Sequence, residues 1–107
     1  MSSIPHFPTT SWSLIARAGD PAALGHRDAL DQFLARYLRP LRTYLVIARR
    51  IDPDQSDDIL QEFLAHKVLH RHLIARAERS RGRFRTFLLR SLDRFVINHF
   101  QKRDAQK

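Results

Sequence analysis

The chain contains no cysteine, which excludes a disulfide framework and thiolate chemistry and suits a reducing compartment. Glycine and proline are scarce, three and five in 107 residues, so a few long helices are expected rather than many turns. No apolar run approaches the ~18 residues that a membrane-crossing helix needs. The start, Met1-Ser2-Ser3-Ile4-Pro5-His6, lacks the basic region and apolar core of a signal peptide. The chain therefore reads as cytoplasmic and without a membrane partner. No segment alternates with the period of two that a strand requires. There is also no nucleophile elbow, no glycine loop to cradle phosphate and no paired-carboxylate acid–base site. Neither an enzyme nor a cofactor is expected.

What is present is a single domain's length of soluble, helix-forming sequence, with a net charge of +8. The charge is informative once it is located. Residues 1–70 hold eight basic and eight acidic side chains, whereas residues 71–107 hold eleven basic against Glu78, Asp93 and Asp104. A chain basic in only one region implies a polyanion at that region, nucleic acid first and an anionic membrane surface second. The last helix needs its apolar side for the core, which favours nucleic acid over a membrane-lying helix.

Residues 4–10 read as an extended arm. Thr10 or Ser11 is placed to cap a short helix from Trp12 to Ala18 that ends at Gly19. Asp20-Pro21 has the form of a cap followed by a proline at the first helical position. From Asp28, the residues Leu30, Phe33, Leu34, Tyr37, Leu38, Leu41, Tyr44, Leu45, Ala48 and Ile51 recur at helical spacing, with Pro40 expected to kink or split the helix. Asp52-Pro53-Asp54-Gln55 reads as a turn, after which Asp54 or Ser56 caps a third helix with core positions Ile59, Leu60, Phe63, Leu64, Val68 and Leu69. A loop from Arg76 to Gly82 precedes a final helix. In it Phe84, Leu88, Leu92, Phe95, Val96, His99 and Phe100 share one face, and Arg83, Arg90, Arg94 and Gln101 share another. The fold class expected is all-α, a compact bundle of three to four helices, with residues 1–19 as arm and short helix and residues 20–107 as the helical domain.

Three side-chain groups could carry function. Asp52, Asp54, Asp57, Asp58 and Glu62 crowd into one turn and one helix start. Helix-dipole complementation accounts for Asp57 and Asp58 there but not for Gln61 and Glu62. Asp58, Gln61 and Glu62 share a helix face suited to a basic, arginine-bearing partner. The second group is Arg79, Arg81, Arg83 and Arg85 around Gly82, a cationic lip able to follow a phosphate backbone. Arg90, Arg94, Asn98, Lys102 and Arg103 extend it along the helix, where Asn98 could read a base edge. Phe84 and Phe87 lie in the same stretch, Phe87 either as a boundary core residue or as a stacking surface for a base. The third group is Glu62, His66 and His70, with His72 near; it lacks the further ligands that a closed metal site needs. An ordinary solvated arginine face is the plainer alternative for the basic stripe.

The motif Asp57-Asp58-Ile59-Leu60-Gln61-Glu62-Phe63-Leu64, followed about twenty residues later by Gly82-Arg83-Phe84-Arg85-Thr86-Phe87-Leu88-Leu89-Arg90, resembles region two of bacterial RNA polymerase sigma factors of the extracytoplasmic-function type. Phe7-Pro8-Thr9-Thr10-Ser11-Trp12-Ser13-Leu14 and Arg36-Tyr37-Leu38-Arg39-Pro40-Leu41 are similar to segments of a subgroup, so the likeness spans nearly the whole chain. It implies that Asp58, Gln61 and Glu62, with Asp57 peripheral, dock on the clamp helices of the largest subunit of core RNA polymerase. It further implies that the Arg79–Arg85 loop with Phe84, Phe87, Arg90, Arg94 and Asn98, and the basic end at Lys102 and Arg103, capture the non-template strand of the minus-ten promoter element. An anti-sigma factor would be a further partner, and the free domain is expected to be monomeric.

Two departures qualify the likeness. Many members carry Trp where Phe87 stands, and Asn then an acidic residue where Arg94 and Asn98 stand, so base preference does not transfer. A complete sigma factor continues into a helix-turn-helix domain, which this sequence lacks; an excised domain and a natural single-domain relative both answer to that. The rival functions are a polymerase-independent single-stranded nucleic-acid binder and a protein-interaction regulator that keeps only the docking face.

Overall fold

In the computed structural model, which describes residues 7–70, 73–77 and 82–105, the first helix starts as the sequence suggests. Ser11 Oγ accepts the Leu14 amide at 3.4 Å, and α1 runs Trp12–Gly19. The second helix starts later than expected. Asp20 Oδ1 accepts the Ala22 amide at 3.0 Å in an Asx turn, and the chain turns again before α2 begins at His26 and runs His26–Thr43. An aspartate serves a turn as well as a cap, and here the local turn won.

Pro40 does not split α2. It removes one amide donor, but Arg36 and Arg39 are both exposed, so the missing bond falls on a solvent-facing turn where its cost is smallest. One turn later the chain widens into a π-helical stretch, Tyr44–Ala48, closed by the Arg49 amide donating to Tyr44 O at 3.0 Å.

The third helix starts earlier than expected. Asp52, and neither Asp54 nor Ser56, is the cap: its Oδ2 accepts the amides of Asp54 at 3.1 Å and Gln55 at 3.3 Å, and Pro53 takes the first helical position of α3, Pro53–Phe63. Ser56 is turned inward instead, fully buried, its Oγ donating to Ile51 O at 3.1 Å. A π-helical stretch, Leu64–His70, and a 3₁₀ turn, Leu73–Arg76, follow. The last helix, α4, runs Phe84–Ala105. The fold is all-α, a small bundle, and no strand occurs among the described residues. None of the described helices is long and apolar enough to cross a membrane.

One core joins all four helices. Leu14, Ile15 and Ala18 of α1, Phe33, Tyr37 and Leu41 of α2, Ile59 and Phe63 of α3, and Leu88, Leu92 and Val96 of α4 are buried together. The periodic apolar positions that define each helix in the sequence are the ones inside. Phe84 anchors the start of α4, its ring centroid 5.5 Å from Tyr37, 5.9 Å from Phe33 and 6.0 Å from Trp12, all near edge-on.

Gly19 marks the tightest approach of backbone to backbone. A Cβ there would lie 2.9 Å from Ala75 N and 3.0 Å from Ala75 Cα. Gly19→Ala would gain about 0.5–1 kcal/mol of helix preference but force the 3₁₀ turn outward, and overpacking of this kind costs about 1–3 kcal/mol. The clash should win: urea unfolding is expected to show a net loss of stability, and a gain would mean that the turn yields freely.

Candidate protein and nucleic-acid interfaces

The early start of α3 changes the meaning of its acidic residues. Dipole complementation fades beyond the first turn, and that turn holds Asp54, not Asp57 or Asp58. The helix therefore does not need Asp57 or Asp58 for its own dipole. Asp57 has a local partner, its Oδ1 accepting from Arg42 Nε at 2.6 Å with both side chains about half exposed. Asp57 and the nearby Asp54 raise the pKa of the Arg42 guanidinium, the hydrogen bond to Asp57 being the largest cause. Asp58, Gln61 and Glu62 are exposed on the same helix. With Gln55 they line a shallow hollow whose far wall is His99 and Arg103 of α4. His99 Nδ1 lies 3.4 Å from Glu62 Oε2.

Helical register divides the polar residues of α4 and its approach into two sets. Arg83, Arg90, Arg94, Asn98 and Gln101 are exposed, and the helical period places them along the side opposite Leu88, Leu92 and Val96. Lys102 and Arg103 do not continue this stripe. With Asn98 and Gln101 at the stripe's far end they line a cleft toward α3 that also holds Glu62, so their charge sits beside the acidic patch. Seven-residue spacing from Arg83 to Arg90 and from Arg94 to Gln101 keeps to one face, and Arg103 falls out of that register. Arg85 is half-buried, and with Arg83 it lines a second shallow groove whose other wall is Thr9 and Thr10 of the N-terminal arm and Trp12 of α1. The arm's part in that groove had no signal in the sequence beyond its unexplained aromatic and hydroxyl residues.

Phe84 is corrected outright as a nucleic-acid contact: at 1% exposure it has no surface to offer a base. Phe87 is half-buried, packed on Phe84 at 6.4 Å, and belongs to the core's edge. Arg79 and Arg81 lie outside the described residues, as does His72. No group of three metal-ligating side chains among the described residues could hold an ion.

A contact that the sequence did not suggest ties the π-helical stretch after α2 to α4. Tyr44 Oη donates to Asp93 Oδ1 at 2.8 Å and stands 3.0 Å from Oδ2, and Arg49 Nη1 lies 3.6 Å from Oδ1. Tyr44 and Asp93 are 49 residues apart, which is why no local pattern reveals them. Burial first, then the hydrogen bond to the Asp93 carboxylate, pushes the Tyr44 phenol up to about 12. The unfolded chain releases this proton near 10 and the native one near 12, so Tyr44's contribution is whole below about 10 and is lost as pH rises through about 12. Tyr44→Phe should lower stability at neutral pH by about 1 kcal/mol and flatten the alkaline fall. Unfolding midpoints measured across that range check both; an alkaline fall as steep as the native one would sink the assignment.

No protein-family model, curated protein or solved structure matches the chain.

Proposed function

We propose that the chain is a sigma-factor region-two domain: it docks on core RNA polymerase through α3 and captures the opened minus-ten promoter strand through α4. The observation that carries this reading is the placement of Asp58, Gln61 and Glu62. They are exposed, lie past the turn where the helix dipole would use them, and sit on a helix capped by another residue. An exposed polar patch that neither the dipole nor the cap of its own helix uses suits a basic, arginine-bearing partner. The stripe of Arg83, Arg90 and Arg94, turned away from the core, supports the second half of the reading, since phosphate contacts dominate nucleic-acid affinity.

In this role the binding surfaces lie within residues 20–107, and Phe7, Leu14, Ile15 and Ala18 complete the core. The role is non-enzymatic, needs no cofactor, and belongs to the cytoplasm. The free domain is taken to be monomeric, and an anti-sigma factor would compete for the same α3 face. The likeness in sequence motifs and the charge separation support the reading independently of each other. Retention of purified core RNA polymerase on the immobilised chain tests it. Capture at physiological salt supports the proposal, and absence of capture with nucleic-acid binding intact replaces it with a polymerase-independent single-strand binder.

A further inference from the structure

Asp93 is an anomaly on the proposed nucleic-acid helix: a carboxylate one turn from Arg90 and next to Arg94, where it should repel phosphate. The structure pairs it off. Tyr44 donates to it, and Arg49 approaches it at 3.6 Å, too long for a hydrogen bond and close enough for an ion pair. Arg49 is thus held beside α4 by charge, with most of its five N–H donors uncommitted to Asp93 and its side chain 34% exposed.

Arg50 follows it, exposed, at a φ of 55°, the one non-glycine among the described residues with a left-handed backbone. For a non-glycine this conformation costs about 1 kcal/mol or more. Nothing in the core calls for a cation there. Arg49 therefore stands beside α4, whose Arg90 and Arg94 flank a single, already paired, carboxylate, and Arg50 follows Arg49 directly in the chain. Summed over residues 1–70 the charge cancels, yet that sum counts acids already engaged elsewhere: Asp57 is taken by Arg42.

We infer that the nucleic-acid surface continues off α4 onto the segment that follows α2 and its π-helical stretch, with Arg49 and Arg50 contacting the phosphodiester backbone of the strand bound along the Arg90–Arg94 stripe, and with Asp93 as the residue that positions Arg49. This rests on the reading of α4 as a nucleic-acid surface. The partner is specified by chemistry: a run of phosphates long enough to pass from α4 to that segment, contacted without base selection.

The test is binding of a fluorescein-labelled single-stranded DNA oligonucleotide of mixed sequence by the whole chain, read by anisotropy at several salt concentrations. For a single strand, each lost phosphate contact lowers the slope of log affinity against log salt by about 0.7. Arg49→Gln and Arg50→Gln should each reduce the slope by roughly that amount, while Arg49→Lys and Arg50→Lys restore it. Arg50→Gly relieves the left-handed backbone without keeping the charge, so it should raise thermal stability and still lose the slope. In an Asp93→Asn background the effect of Arg49→Gln should shrink.

A slope unchanged by Arg49→Gln and Arg50→Gln, with Arg90→Gln and Arg94→Gln lowering it, would overturn the inference and leave the proposed function standing. A slope indifferent to all four, or no binding by the native chain, would remove the nucleic-acid reading of α4 itself. An effect of Arg49→Gln that is undiminished in the Asp93→Asn background would take the positioning role from Asp93.

Discussion

Asp58→Arg should abolish retention of core RNA polymerase by the immobilised chain, while Asp57→Ala leaves it within about threefold of native. The two residues are adjacent in sequence, and charge counting cannot tell them apart. The structure can. Asp57 already accepts from Arg42 at 2.6 Å, and a solvent-screened surface pair of this kind contributes little, so removing it disturbs neither fold nor docking face by much. Asp58 opens on the hollow with Gln61 and Glu62. Breaking a desolvated charge pair at an interface costs about 2–5 kcal/mol, or roughly 30-fold to several-thousand-fold in affinity at 1.4 kcal/mol per decade. Reversal adds repulsion from a basic partner.

Glu62→Arg should fall in the same range with one difference. Glu62 lies 3.4 Å from His99, so its loss also releases a histidine into the hollow, beside Arg103. The measurement is capture at physiological salt, with far-UV circular dichroism on each variant to show unchanged helix content. Capture that survives Asp58→Arg would sink the assignment of α3 as the docking face.

Helical spacing set Asp58 with Gln61 and Glu62 and left Asp57 peripheral, but the Arg42 that Asp57 pairs with, 15 residues away, had no local signal. The core faces were legible because burial imposes a period: Phe84, Leu88, Leu92 and Val96 on α4 are placed in the core by spacing alone, and they are buried. The same logic placed Arg83, Arg90, Arg94 and Gln101 together on an exposed side. Helix starts were less legible. Asp52, Asp54 and Ser56 are all good caps within five residues, and the choice of Asp52 depends on Ser56 being needed inside, where its hydroxyl meets Ile51 O. That choice is tertiary.

Likewise nothing local forecasts the π-helical widening after Thr43, which carries Arg49 and Tyr44 to Asp93. Register over twenty residues also proved decisive at the end of α4. Lys102 and Arg103 read as more of the same basic tail, yet the helical period turns them toward α3 and away from the stripe. A basic helix end is a statement about composition, and a binding face is a statement about angle.

Phe84→Ala should be the most destabilising single substitution in α4, by about 3–5 kcal/mol. Phe84 is 1% exposed, and its ring meets Trp12 of α1 and Phe33 and Tyr37 of α2. Truncation would open a cavity among three rings that cannot all collapse inward, since each belongs to a different turn of the bundle. Against a total stability of about 5–15 kcal/mol for a domain of this kind, the loss is a large fraction, and a urea midpoint should move accordingly. Phe87→Ala is the necessary comparison. Its ring is half-buried at the core's edge, so a cost of about 1–2 kcal/mol follows from the smaller apolar area recovered. Binding separates the two further. If Phe87 is only an edge of the core, single-stranded DNA affinity measured well below the unfolding midpoint stays near native; if it stacks on a base, affinity falls by about 1–3 kcal/mol with little extra loss of stability. Because Phe84 fixes where α4 starts, it also fixes the rotation of Arg90 and Arg94 about the helix axis. A Phe84→Ala chain that is still folded at low temperature should therefore bind more weakly although no contact residue has changed. Native stability in that variant would mean that α4 is held by Leu88, Leu92 and Val96 alone.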